Sequence, residues 1–177
     1  MKHPLEGFPQ PLQKRAFSIF LFLTLLFFAV FRWLDAPLQT AAAPYGIVSF
    51  ELAWTLRSAQ AMMDSWDAQA RLFAAFGLGV DYLFMPTYAL ALSFGLLLAR
   101  QGASPRWRVL TAWLGWGAFG AALCDALENA ALWQMLSAGA TAALPFFAAL
   151  CASIKFMLLA LGLLAAVLSL KLARARP

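Results

Sequence analysis

The chain has 177 residues, of which 63% are hydrophobic and only 12% are charged, with a formal net charge of +5. A soluble domain carries about 25% charged residues, so this chain cannot cover a water-exposed surface. The composition therefore excludes a soluble enzyme, a disordered chain and a disulfide scaffold. We predict a protein that lies in a lipid bilayer.

Long apolar segments recur along the chain, and about 20 residues of helix are enough to cross the hydrocarbon core of a membrane. They predict an all-α polytopic membrane protein, a four-transmembrane-helix bundle. We expect one membrane domain over residues 1–177, with spans at about 16–34, 72–99, 109–136 and 145–170 and an outer loop at 35–71.

Basic residues flank these spans unequally. Because Lys and Arg accumulate in cytoplasmic loops, the richer side is predicted to be cytoplasmic, with both termini inside and residues 35–71 on the non-cytoplasmic side. The positive net charge follows from this topology, so we predict no nucleic-acid partner. The basic residues on the predicted cytoplasmic side are Lys2, Lys14, Arg15, Arg100, Arg106, Arg108, Lys171, Arg174 and Arg176.

The outer loop has a helical pattern after Gly46. Apolar residues recur at spacings of three and four, which predicts an amphipathic helix with Glu51 on its more polar side. This helix would be either a lid over an intramembrane site or a surface helix resting on lipid and on the bundle. The apolar stripe consists of Leu52, Leu56, Ala59, Met63 and Trp66.

Three of the spans are interrupted by ionisable residues: Asp81, Asp125, Glu128 and Lys155. A charge at the centre of a membrane helix costs about 2.5–3.5 kcal/mol, so these side chains are expected to face one another or water. A rise of 1.5 Å per residue places all four about 12–16 Å below the outer ends of their spans. We therefore predict that they converge near the middle of the membrane.

Neighbouring residues extend this group. Asp125, Glu128 and Asn129 are spaced i, i+3 and i+4, which places them on one helix face. Three carboxylates near one ammonium predict a site for a proton, a metal or organic cation, or a neutral hydrogen-bonding ligand. A polar clasp between helices is the structural alternative. The candidate ligand-binding residues are Asp81, Tyr82, Asp125, Glu128, Asn129 and Lys155, with Glu51 and Arg57 contributed by a lid.

Several kinds of site are excluded. The only histidine, His3, lies in the N-terminal tail, so a bis-histidine haem or a histidine-rich metal centre inside the bundle is not expected. No glycine-rich phosphate loop and no Ser–His pair is present. We therefore predict no cofactor and no metal.

Four segments together resemble a family of small bacterial four-span integral membrane proteins: GIVSFELA at 46–53, WD at 66–67, DYLF at 81–84 and DALEN at 125–129. The resemblance covers about residues 35–155. It implies a multi-pass protein of the bacterial inner membrane. The family has no established activity, so the resemblance implies architecture only.

Three functions fit the intramembrane group. The first is binding of a small amphiphile or lipid headgroup at a carboxylate/lysine cluster that opens to the non-cytoplasmic side, in the manner of a carrier. The second is a lipid-modifying enzyme with a carboxylate as general acid or base and Lys155 as electrostatic stabiliser. The third is a structural subunit that joins a membrane-protein partner through small-residue helix faces.

Overall fold

A computed structural model of the protein describes residues 1–101 and 103–174, with side chains placed up to residue 169. Throughout these residues the regular structure is helical and contains no strand, as the sequence predicts. A 3-10 turn at Ala36–Leu38 follows the first helix. The helices are α1 (Gln10–Asp35), α2 (Ile47–Glu51), α3 (Leu56–Ser65), α4 (Ala68–Ala99), α5 (Pro105–Ala138) and α6 (Ala143–Arg174).

Four of these helices, α1, α4, α5 and α6, are long and apolar enough to cross a membrane, which confirms the predicted number of spans. Each helix extends beyond its apolar segment because helix ends are set by capping rather than by hydropathy. At the start of α4, for example, the Asp67 carboxylate accepts a hydrogen bond from the Ala70 N–H at 2.7 Å. Helix α5 begins at Pro105, a residue whose fixed φ suits a first helical turn.

The chain divides into two compact units, and the division falls within each of the four long helices. The terminal unit contains both chain termini, and the loop unit contains the segment between α1 and α4. The terminal unit comprises Met1–Leu25, Pro86–Ala122 and Lys155–Pro177, and the loop unit comprises Leu26–Met85 and Leu123–Ile154.

Small residues let helices approach closely in the terminal unit. A Cβ at Gly162 on α6 would lie 2.8 Å from a methyl group of Leu92 on α4, closer than real contacts allow. Leu92 and Leu96 pack with Ala118 and Ala165 in one hydrophobic cluster. Within a bilayer such close packing replaces the hydrophobic effect as the main source of helix association.

The N-terminal segment, residues 1–9, folds back onto α4 and α5 of the terminal unit. The buried side chain of Leu5 packs with Phe94 and Leu97. Glu6 forms an ion pair with Arg100 at 2.8 Å, at the end of α4. Apolar burial and charge pairing therefore both hold this segment in place.

His3 is the most deeply buried polar residue of the N-terminal segment, with 3% of its surface exposed. Its Nδ1 accepts a hydrogen bond from the Leu5 N–H at 3.2 Å, so the neutral ring carries its proton on Nε2. Burial, with a smaller contribution from Arg100, lowers the pKa of His3 to about 4. The ring lies against Gly115, where any Cβ would collide with it.

Hydrogen bonds to side chains organise residues 35–71 of the loop unit, which we call the outer segment. The Asp35 carboxylate accepts from the Ile47 N–H at 2.7 Å. The indole of Trp66 donates to the Leu38 carbonyl at 2.8 Å, and its ring packs edge-on against Phe50. These bonds bring the end of α1, the start of α2 and the end of α3 together.

The single amphipathic helix predicted after Gly46 is not confirmed. Helix α2 ends at Glu51, and α3 begins after Thr55, whose hydroxyl accepts a hydrogen bond from the Ser58 N–H. Trp54 in the break has a positive φ of 54°. Beside the break Glu51 is buried and Leu52 is exposed, the reverse of the positions predicted for these two residues, whereas Ala59, Met63 and Trp66 of the stripe are buried. The cause is a new N-cap at Thr55, which apolar spacing does not reveal.

Substitution of Gly46 by alanine should destabilise the outer segment. Gly46 has φ +55° and ψ −128°, a conformation that costs other residues about 1–3 kcal/mol, and an added Cβ would collide with the Asp35 carboxylate. We expect a lower melting temperature in detergent and faster proteolysis between residues 36 and 46.

Two glycines provide matched controls for Gly46→Ala. Gly139→Ala has the positive φ without a collision, and Gly79→Ala has neither, because nothing lies within 4 Å of a Cβ there. Gly79→Ala should leave the melting temperature unchanged or raise it. Equal melting temperatures for Gly46→Ala and Gly79→Ala would show that the backbone conformation of Gly46 and its contact with Asp35 do not limit stability.

Candidate functional site

A buried amide joins α4 to α5 within the loop unit. The Asn129 side chain donates from Nδ2 to the Asp81 carboxylate at 2.8 Å and to the Leu78 carbonyl at 3.3 Å. Both partners are acceptors, which fixes the orientation of the amide. One residue of α5 thus holds the backbone and a carboxylate of α4 together.

A second contact lies beside the first. The Tyr82 hydroxyl donates to the Ala126 carbonyl on α5 at 3.1 Å, and about half of the Tyr82 side chain stays exposed. Asp81 is only partly buried. The α4–α5 seam is therefore closed on its inner side and accessible near Tyr82.

The polar residues of α5 share one buried face. Asp125, Glu128 and Asn129 expose 2%, 0% and 1% of their surfaces, whereas Leu127 between them is exposed. A helix of 3.6 residues per turn brings positions i, i+3 and i+4 together in this way. The spacing seen in the sequence thus corresponds to a concentration of polar groups inside the loop unit.

Two candidate residues of the predicted lid lie in different environments. Glu51 is buried at the end of α2, whereas Arg57 is exposed on α3. The buried faces of α2 and α3 pack with α4 and α5 in one hydrophobic cluster, which covers the outer part of the loop unit. That cluster includes Phe50, Ala59, Met63, Trp66, Ala74, Leu78, Leu132 and Met135.

Lys155 belongs to the terminal unit, of which it is the first α6 residue. Its side chain is 5% exposed, and the ammonium lies 4.8 Å from the centre of the Phe156 ring. A buried lysine within a span is unusual, because an ammonium that faces lipid is costly. The convergence of Lys155 with the carboxylates stays a prediction.

Four acidic residues of the loop unit interact with other groups of the protein. This holds for Glu51, Asp81, Asp125 and Glu128. Among the residues that the structure describes, no group of three or more His, Cys, Asp or Glu side chains could hold a metal ion.

The amide oxygen of Asn129 has no hydrogen-bond partner. Asn129 Oδ1 is buried and accepts no hydrogen bond. An amide oxygen has two acceptor positions, and leaving a buried one unused costs about 1–3 kcal/mol. Sequence reasoning identified Asn129 from its spacing, but the open oxygen depends on which way the amide turns. The sequence could not identify the Leu78 carbonyl as a partner of Asn129 either, because a pattern of side chains does not show which backbone groups they meet.

The chain was compared with known proteins at the level of families, sequences and structures. No protein-family model, curated protein or solved structure matches it. The resemblance to small bacterial four-span proteins therefore stays a prediction.

Proposed function

We propose that the protein binds a small amphiphile or a lipid headgroup at the polar seam of α4 and α5, which we call the Asn129 site. It consists of Asp81, Tyr82, Asp125, Glu128 and Asn129. The proposal depends on one observation: Oδ1 of Asn129 is a buried acceptor that has no hydrogen-bond partner, while Nδ2 of the same amide donates to Asp81. A ligand with a hydrogen-bond donor would satisfy this atom.

A purely structural clasp explains less of the geometry. Buried polar groups that only join helices are normally satisfied on both sides, because each unmet group lowers stability. Asn129 uses its two N–H donors on α4 and leaves its oxygen unused. A clasp requires the two hydrogen bonds that Asn129 donates, but an amide oxygen without a partner does not stabilise it.

The exposure of Tyr82 supports an amphiphilic ligand. Tyr82 and the partly buried Asp81 form the accessible edge of the seam, while Glu128 and Asn129 lie at its buried end. A molecule with an apolar tail could enter from lipid along this edge and place its polar head near Asn129. We propose that the site serves the non-cytoplasmic side of the membrane, in the manner of a carrier.

We also propose an inner-membrane location with cytoplasmic termini. The segments of the terminal unit contain ten of the thirteen basic residues, all but Lys155 near span ends, and only one of the eight acidic residues. Such an excess of Lys and Arg near span ends is typical of cytoplasmic segments. The loop at residues 35–71 would then be non-cytoplasmic.

Neutralising the acidic residues of α5 should abolish binding without unfolding the protein. We expect Asp125→Asn and Glu128→Gln to lower the occupancy of a copurifying amphiphile at least tenfold, because removing a buried charged partner costs about 2–5 kcal/mol of binding energy. Native mass spectrometry of protein purified in nanodiscs measures that occupancy. Melting temperatures of the same samples measure folding.

Asp64→Asn is the matched control, since Asp64 is an exposed acid on α3. It should change neither occupancy nor melting temperature. A large drop in melting temperature for both α5 variants, with occupancy of the remaining folded protein unchanged, would favour the clasp and contradict the binding site.

A further inference from the structure

We infer that the start of α1 binds an anionic phospholipid, whose head is a phosphodiester without a compensating amine. The binding place is an open groove of about 370 Å³ in the terminal unit, which we call the α1 groove. It is lined by Lys14, Arg15, Ser18 and Ile19. This inference does not depend on the Asn129 site, whose residues belong to the loop unit.

The two cations of the α1 groove have no acidic partner. Lys14 and Arg15 are both exposed, and neither forms an ion pair within the part of the chain that the structure describes. The only acidic side chain in the segments of the terminal unit is Glu6, and it pairs with Arg100 at 2.8 Å. Two adjacent positive charges are therefore available to an anion from outside the protein.

The position of these cations along α1 corresponds to the level of lipid headgroups. Arg15 is followed directly by sixteen uncharged residues, 16–31, within the candidate span Gln10–Leu38. Basic side chains at the end of a span extend to the membrane surface, where they attract the phosphates of anionic lipids. A phospholipid beside α1 would thus present its phosphate to Lys14 and Arg15.

Ser18 adds a hydrogen-bond donor one helical turn deeper. Its hydroxyl makes no hydrogen bond with any described residue, whereas the Thr24 hydroxyl on the same helix donates to the Phe20 carbonyl at 2.7 Å. Bonding to the helix's own carbonyl is how a hydroxyl in an apolar helix is commonly satisfied. The Ser18 hydroxyl remains available to a phosphate or ester oxygen.

The apolar residues that follow indicate a lipid rather than a soluble phosphate. Ser18, Ile19 and Phe22 lie three, four and seven positions after Arg15, which places them on one helix face. Ile19 and Phe22 expose 57% and 66% of their surfaces. An acyl chain that lies along this face would extend from a phosphate held at Arg15, whereas a soluble phosphate would leave the face unused.

Membrane topology alone does not explain the α1 groove. Basic residues at span ends determine orientation, but this role requires only that they lie on the correct side. It does not require unpaired cations, an unbonded hydroxyl and an apolar stripe on one stretch of helix. Arg106 and Arg108 provide a comparison, because they are exposed basic residues at the start of another span, α5.

The test compares two phospholipids with identical acyl chains, phosphatidylglycerol and phosphatidylcholine. Each is titrated into the full chain in detergent, and native mass spectrometry measures the lipid bound. We expect phosphatidylglycerol to bind at least tenfold more tightly, because the choline group offsets the phosphate charge that Lys14 and Arg15 attract. Equal affinities would overturn the inference. Displacement of phosphatidylglycerol by excess inorganic phosphate would also overturn it, by identifying a soluble ligand.

Two double variants locate the binding place. Lys14→Gln with Arg15→Gln should lower the affinity for phosphatidylglycerol to that for phosphatidylcholine. Arg106→Gln with Arg108→Gln removes the same charge from the terminal unit and should keep the preference. Equal losses in the two double variants would show a general attraction to a basic unit and would contradict a specific groove on α1.

Ser18→Glu tests the groove without removing a basic residue. Orientation depends on Lys and Arg and little on acidic residues, so this variant should insert normally even if the α1 double variant does not. The added carboxylate lies one turn from Lys14 and should abolish the preference for phosphatidylglycerol. An unchanged preference in Ser18→Glu would show that the lipid binds elsewhere. The proposal for the Asn129 site is tested by α5 variants and is unaffected by this outcome.

Discussion

Lowering the pH from 8 to 4 should release the N-terminal segment, raising its undocked population about a hundredfold. The docked ring of His3 has a pKa of about 4, against 6.5 for an unrestrained histidine. Between these values the released segment binds a proton and the docked segment does not, so docking weakens as the pH falls. Protonation of Nδ1 also breaks the bond from the Leu5 N–H.

Glu6 acts in the same direction at the acidic end of this range. The hydrogen bond from the His3 N–H, followed by the one from Arg100, lowers the pKa of the Glu6 carboxyl. A lowered carboxyl pKa stabilises docking above the ordinary value of 4.5, and that stabilisation is lost as the pH falls below it. Two charged groups act on His3: Glu6 in the same segment and Arg100 on α4.

Hydrogen exchange of residues 1–9, and the fluorescence of Trp116, measure this release. The Trp116 indole donates to the Lys2 carbonyl at 3.3 Å, so its environment changes when the segment leaves. His3→Gln cannot titrate and should lose the pH dependence between about 6.5 and 5, while keeping the part due to Glu6. Identical pH profiles for the unmodified protein and His3→Gln would show that His3 does not control docking.

Trp66→Ala should cause the largest loss of stability in the outer segment, about 3–5 kcal/mol. The Trp66 ring is buried, packs edge-on against Phe50 and donates to the Leu38 carbonyl. Removing it leaves a cavity among α2, α3 and α4 and an unmet carbonyl. We expect a large fall in melting temperature in detergent and rapid proteolysis of residues 36–66.

Trp66→Phe separates packing from hydrogen bonding. Phenylalanine keeps an aromatic ring against Phe50 but cannot donate, so the loss should fall to about 1–3 kcal/mol. Trp133→Ala removes an exposed tryptophan and serves as the control for losing an indole. A melting temperature for Trp66→Ala close to that of Trp133→Ala would contradict a structural role for the buried indole.

The membrane spans could be predicted because each depends on one property of one segment. The 18-residue apolar stretches of α1, α4, α5 and α6 must avoid water whatever their neighbours are. The outer segment is different. Its apolar spacing fits one helix, yet the buried Glu51 and the cap at Thr55 divide it, because tertiary contacts outweigh a weak periodic pattern.

The candidate site shows the same contrast. Helical geometry alone brings Asp125, Glu128 and Asn129 to one face. The pairing of Asn129 with Asp81, residues 48 apart in the chain, depends on the rotation of α4 against α5. The Arg57 contribution expected from a lid was equally dependent on packing, and the structure places that side chain at the surface.

Hydropathy, charge count and helical period are local properties, so the amino-acid order was sufficient for the all-helical class, the four spans and the shared polar face of α5. Three features were decided only in the folded chain. They are the unbonded amide oxygen of Asn129, the burial of His3 against Gly115 and the hydrogen bond from Trp66 to the Leu38 carbonyl. Each depends on the direction in which a side chain meets a distant backbone, and packing alone sets that direction.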